Sequence, residues 1–406
     1  MSSITLVVEY ILQTTTASIS FISSVVIMLM IKRATLSSPY RRIIFGLSFG
    51  DAMQSFAMIT GPFLSVKGKN YPWAVGNVNT CSSNGFAMVF GSTVVPMYLV
   101  CLSCYYFCKL NKRMSNEEIS QRFEKKAHIL INSSIIIACL LALVTDTFNP
   151  IHTGAICHFA RSPLGCGLYP ETFGECKRGI YAFYFIFSIT VGLNVLCFLL
   201  TTAFMILLTL DALRTERIHT SSLNQAERST FSVQSCACFC YCQDLDQQED
   251  ESDANYVLRL YRRETTIQAF LYISSYFITY SITLFITISG VMNIRPTGAI
   301  MTISAAVYPL MGFFNILIYT RPKVNSFRYT FTEFSWLRSF ILVIKAGGEV
   351  PDFHNEDPND LKVCCCCPPI TTYEVTSDLS EITNKPRFSF FSTLFRFKRS
   401  GSVQSQ

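Results

Sequence analysis

The sequence predicts an all-α membrane protein: seven transmembrane helices in a bundle, N-terminus outside, C-terminus cytoplasmic, with a long disordered tail. Three observations predict it. The 406 residues are 50% hydrophobic and only 15% charged, where soluble domains carry about 25% charge. The missing charge leaves seven apolar runs, each long enough to cross a bilayer as one helix. Lys and Arg cluster in alternate connections between those runs, as they do on a cytoplasmic face.

The runs follow in order. The first is Tyr10 to Ile31, after a stub from Met1 to Glu9 without the basic region of a signal peptide. The second is Ile43 to Val66 and the third Gly85 to Cys108. The fourth, His128 to Thr147, is the weakest, with Asn132, Ser133 and Ser134 near its start. The fifth, Ile180 to Leu210, exceeds what a bilayer needs, so it should tilt or protrude. The sixth is Thr265 to Val291 and the seventh Gly298 to Tyr319. The bundle then occupies residues 1–322, with a polar cytoplasmic loop at 211–264. Within that loop the acidic run Asp244 to Asp253 reads as a solvated linker. Residues 323–345 mix aromatic and aliphatic side chains with arginines and read as an amphipathic helix on the membrane surface. Residues 346–406 read as a disordered tail, rich toward its end in Ser, Thr, Lys and Arg and suited to phosphorylation.

Charge sets the orientation. Lys32, Arg33, Arg41 and Arg42 follow the first run. Lys109, Lys112, Arg113, Arg122, Lys125 and Lys126 follow the third. The opposite loops carry only Lys67 and Lys69, then Arg161, Lys177 and Arg178, then Arg295. The richer side is cytoplasmic. The net charge of +6 fits an anionic inner leaflet better than nucleic acid. The plasma membrane is the expected location, with an internal membrane as the alternative.

The seventh run organises the rest. Pro309 and Gly312 should loosen or bend it, and Arg321-Pro322 should stop it. Asn315 places an amide in hydrocarbon, with Tyr319 one turn later on the same face. Such an amide needs a partner inside the bundle. Asp51, in the second run, is the clear ionisable residue of the interior and hence a functional candidate. Together Asp51, Asn315 and Tyr319 form the expected activation network, with Ser48 and Ser304 as further hydroxyls. Asp146 should reach the outer interface.

Cysteines divide by side. Of 17, Cys81, Cys157, Cys166 and Cys176 fall on the outer side. A bridge from Cys81 to one of the other three would pin the long loop across the bundle mouth, and four cysteines allow three pairings. Cys236, Cys238, Cys240 and Cys242 alternate in the cytoplasmic loop, and Cys364, Cys365, Cys366 and Cys367 are adjacent in the tail. Neither spacing suits tetrahedral zinc, and acylation is the better reading.

No catalytic constellation, cofactor motif or metal spacing appears, so an enzyme is not expected. The five histidines form no ligand set, and His152 and His158 read as polar loop surface. A retinal Schiff base needs a lysine in the last run, and none lies between Gly298 and Tyr319.

LSFGDAMQS around Asp51, TCSSNGF around Cys81 and YPLMGFFNILIYTRP at the end of the last run carry a family resemblance. Over Tyr10 to Pro322 the chain resembles the seven-transmembrane G protein-coupled receptors, closest to the protist and slime-mould group related to cyclic-AMP receptors. The resemblance implies a receptor that passes an extracellular ligand signal to a heterotrimeric G protein. It matches Asp51 to the buried acid of span two, Cys81 to the half-cystine of span three, and Asn315 and Tyr319 to the ends of the span-seven activation motif. Ile316 stands where rhodopsin-like receptors have proline. The acid-arginine-tyrosine triplet ending span three is absent; the chain reads CLSCYYFCKLNKR, with Tyr105, Tyr106 and Lys109. Ligand of unknown class should enter between spans three, five, six and seven, near Lys177, Arg178, Tyr181, Tyr184 and Arg295. The inner ends around Arg214 and Arg262-Arg263 should spread to admit the G protein. Membrane lipids, and kinases and arrestin-like proteins at the tail, are the other expected partners; nucleic acid is not. Two other functions compete: a small-solute transporter or channel, and a membrane scaffold acting through its tail.

Overall fold

The computed structural model describes residues 3–34, 36–66, 74–151, 156–163, 165–166, 170–210, 245–292, 294 and 297–348. The chain divides into two units, Met1–Phe353 and His354–Gln406, and the second lies wholly outside the described residues. Seven described helices are long and apolar enough to cross a membrane, which makes this a multi-span membrane protein fold. They are α1 (Ser3–Arg33), α2 (Pro39–Leu64), α3 (Val78–Leu110), α4 (Asn116–Val144), α5 (Ala182–Leu210), α6 (Leu245–Val291) and α7 (Gly298–Thr330). A shorter helix, α8 (Trp336–Lys345), follows.

Several helices outrun the apolar runs. Hydropathy marks only the stretch that tolerates hydrocarbon, whereas a helix continues wherever its backbone bonds are satisfied. α3 begins at Val78, where Asn77 and Thr80 form a reciprocal capping box. α4 begins at Asn116 under a second box, Ser115 with Glu118. α6 begins at Leu245, so the acidic run beyond Asp244, expected as a solvated linker, and the rest of 245–264, expected as polar loop, are helical, while Asp244 lies outside the described residues. Their Leu, Gln, Glu and Arg are strong helix formers.

α7 breaks once and then continues. Tyr308–Leu310 forms a 3-10 turn around Pro309. Arg321-Pro322 does not stop the helix: it runs on to Thr330 with Pro322 inside it. Proline has no N–H, so the Ile318 carbonyl loses its usual donor; the Gln268 side chain of α6 reaches that carbonyl at 3.5 Å. Residues 323–330, expected in the surface helix, therefore belong to α7. The amphipathic segment shrinks to α8, because Phe327, Phe331 and Phe334 pack on one another and close the turn ahead of the Ser335 cap.

α3 is the most buried of the seven helices. α2 lies against it backbone to backbone. A Cβ on Gly91 would sit 2.5 Å from the Gln54 nitrogen and 2.6 Å from the Gly50 carbonyl oxygen. Small residues permit such approach and gain dispersion along the contact.

The one sheet among the described residues is a hairpin of β1 (Phe148–Pro150) and β2 (Cys157–Phe159), antiparallel with Phe148 opposite Phe159. It lies against the first turns of α3, where Phe148 fills the space a side chain at Gly85 would occupy. Phe159 stacks on Phe148 at 5.3 Å and reaches Phe185 of α5 at 5.6 Å. The bundle thus has a hairpin end and, opposite, an end where α2 starts at Ser38.

Candidate functional site

Two helices that adjoin neither in sequence nor in loop connection meet through one polar contact. The Asn315 Nδ2 of α7 donates to the Asp51 Oδ2 of α2 at 2.5 Å. Asp51 is 2% exposed and Asn315 fully buried. An ionisable group this deep is costly unless it is partnered. Among the described residues, the Asn315 Oδ1 and the nearby Ser48 and Ser24 hydroxyls have no hydrogen-bond partner, so the site is polar beyond the one bond it makes.

Local sequence places the pair. Gly312, one turn before Asn315, lets α7 close on α1: its N–H donates to the Ser20 Oγ at 3.0 Å, and a Cβ there would lie 2.6 Å from that oxygen. The 3-10 turn at Pro309 lies just before it. One turn after Asp51, the Gln54 Oε1 accepts from the Tyr280 hydroxyl of α6 at 3.1 Å, and Tyr280 sits edge-on to Tyr308 at 5.2 Å. The break in α7 and the buried acid of α2 therefore belong to one neighbourhood. Ser304 bonds Thr283 instead, at 3.2 Å.

Tyr319 belongs elsewhere. It stacks on Tyr40 of α2 at 6.4 Å, in a group of rings that includes Tyr105 and Tyr106 of α3. Sequence reading missed Tyr40. An aromatic at a span's edge resembles an ordinary interfacial anchor, and only the facing rings distinguish it. Also missed was Glu9, placed in the stub: it is 4% exposed and accepts from Thr302 of α7 at 3.1 Å. A third group joins Arg42, Glu124, His128, Tyr98 and Asn132 across α2, α3 and α4. Glu124 sits in a π-helical turn, Ser120–Glu124, that no hydrophobic pattern announces.

At the hairpin end the cysteines pair as Cys81–Cys157 and Cys166–Cys176, with Cα separations of 5.4 and 5.2 Å. The first bond ties β2 to α3. His158, read as polar loop surface, is half-buried beside Phe159, and burial pushes its imidazole down to about 4. His152 lies outside the described residues. Arg178 donates to exposed Asp146 at 2.8 Å, so it ties the loop to the end of α4. Tyr181 and Tyr184 are 53% and 66% exposed, and Lys177 is exposed too. Arg295, Arg214, the Arg262 side chain, Cys236, Cys238, Cys240, Cys242 and Cys364 to Cys367 lie outside the described residues, as do the loop and tail that hold the cysteine clusters.

No protein-family model matches this chain, and no curated protein matches it.

Proposed function

We propose that the chain is a seven-helix receptor that passes a signal from an extracellular ligand to a heterotrimeric G protein. One observation carries the reading: the buried Asp51–Asn315 link joins α2 to α7 beside the 3-10 turn of α7. A helix broken there and joined to α2 by this polar bond has two natural arrangements at that contact, bonded and released. A ligand that favours one arrangement shifts the population by its difference in affinity. The hairpin, pinned by Cys81–Cys157, covers the end where ligand enters. The Lys/Arg bias puts that end outside and the Ser38 end in the cytoplasm.

The test is a coupling assay across several G protein families with a broad ligand panel, at matched surface expression. A ligand-driven response is the expected result. A tag inserted near Gln247, labelled only after permeabilisation, checks the orientation; labelling on intact cells overturns it.

Glu9 favours a second reading, a small-solute transporter or channel, since it puts another buried carboxylate along the α1–α7 seam. Solute flux without any G protein response would select that reading. The tail-scaffold reading predicts signalling that survives disruption of the bundle.

A further inference from the structure

At the Ser38 end of the bundle one side chain touches three other helices. Tyr40 follows the Ser38 cap and Pro39 at the first turn of α2, so its backbone is fixed where the helix starts. Its ring lies 5.9 Å from Tyr105 and 6.1 Å from Tyr106 on α3, and stacks on Tyr319 of α7 at 6.4 Å. Its hydroxyl accepts from the Gln268 Nε2 of α6 at 2.8 Å and lies 3.5 Å from the Tyr272 hydroxyl of the same helix. Tyr40 thus touches α3, α6 and α7 at once.

Gln268 is the matching half. Its Nε2 carries two hydrogens. One serves Tyr40, and the other points to the Ile318 carbonyl, which Pro322 deprives of its backbone donor. One amide therefore holds α6 to α2 and to α7 together. One turn earlier on α6, Glu264 accepts from Arg321 of α7 at 3.0 Å. Both Glu264 and Arg321 are partly exposed, so that ion pair is screened and weak. Tyr40 and Gln268 are likewise partly buried, but the Tyr40 hydroxyl faces Tyr272, which is buried.

We propose that Tyr40 and Gln268 form the latch that keeps the Ser38 end of α6 closed against α2 and α7. The inference rests on the receptor reading, in which this end of α6 parts from its neighbours. Opening must break the Tyr40–Gln268 bond and return the Ile318 carbonyl to water or another donor. The latch needs the hydroxyl of Tyr40, whereas plain packing needs only its ring. That difference makes the proposal testable.

The experiment uses the full chain in lipid nanodiscs, with spin-label amino acids at exposed Lys112 and Arg263, and reads their distance distribution by double electron–electron resonance. Tyr40→Phe keeps the ring and removes the hydroxyl. It should raise the longer-distance population about tenfold, the shift that about 1.4 kcal/mol produces. Gln268→Leu should do the same and serves if Tyr40→Phe does not fold. The double variant should open less than the sum of the two, because both remove the Tyr40–Gln268 bond. Tyr329→Phe, on an exposed ring, should match wild type. A folded Tyr40→Phe protein with the wild-type distribution overturns the latch, as does a double variant whose effect is the sum of the two. A parallel G protein assay separates the readings. Opening in the variants with no G protein response sustains the latch and retires the receptor. A ligand-driven response in wild type, with unchanged distances in both variants, retires the latch and sustains the receptor.

Discussion

Arg42 of α2 grips Glu124 of α4 with two nitrogens, Nε at 2.5 Å and Nη2 at 2.7 Å, while the Glu124 side chain is almost wholly buried. A fork of this kind fixes both position and angle. Removing the arginine strands a buried carboxylate. Arg42→Ala should therefore lower stability by about 1–3 kcal/mol, less than for a fully buried pair because Arg42 keeps some water. Arg42→Lys should recover part of the loss, since an ammonium restores charge without the fork. Thermal melting in nanodiscs measures both, and an unchanged midpoint for Arg42→Ala would show the pair to be incidental.

Gly91 and Gly290 separate crowding from helix propensity. Gly91→Ala puts a methyl into the backbone of α2 and should cost about 1–3 kcal/mol through displacement of that helix. Nothing lies within 4 Å of a Cβ at Gly290, so Gly290→Ala should be neutral or stabilising by up to about 1 kcal/mol. Equal melting points for the two variants would contradict the close α2–α3 approach.

The disulfides should differ in weight. Cys81–Cys157 spans 76 residues of sequence and Cys166–Cys176 spans 10. The chain-entropy relation gives about 4–5 kcal/mol for the longer loop and about 3 kcal/mol for the shorter. Cys81→Ser should therefore lower the melting point more than Cys166→Ser, and non-reducing peptide maps should recover the same two pairs. A Cys81 thiol that alkylates freely in folded protein would refute the first pairing.

Asp51→Asn and Asn315→Ala should change signalling or the active fraction more than surface expression. Asp51→Asn keeps the shape of the pair and removes its ionisable group. Asn315→Ala removes the partner of a buried group, which costs about 1–3 kcal/mol in whichever arrangement holds the bond. Dose–response curves at matched surface levels test this. Normal ligand-driven signalling from both variants would remove the link from the mechanism.

His158 gives the hairpin an acid limit. Its pKa is depressed from the ordinary 6.5 to about 4 by burial. The unfolded hairpin then binds the proton more readily than the folded one. Stability is complete above about pH 6.5 and falls as pH drops toward 4, by about 1–3 kcal/mol in total. Hydrogen exchange at residues 156–160 should accelerate over that window, and His158→Asn should flatten the dependence. Exchange that is independent of pH, after correction for its intrinsic rate, would rule this out.

The chain's own order of residues determined the seven apolar helices, because hydrocarbon excludes charge over about 20 consecutive residues and no distant contact is needed to see that. It also singled out Asp51 and Asn315, since a polar group in an apolar run is visible without coordinates. Helix ends were less legible. Capping at Ser115 and the helix formers of 245–264 carry α4 and α6 beyond hydrocarbon, where hydropathy is silent. Pro322 reads locally as a stop, and only the Gln268 side chain of another helix shows why α7 continues. Tertiary structure alone chose Cys157 for Cys81 among three candidates, moved Tyr319 from the Asp51 link to the Tyr40 rings, and turned Glu9 inward. Each of these depends on which helices are neighbours and how they are rotated. Pairing at a distance is a property of packed faces, and hydrophobic pattern along one chain does not encode which face meets which.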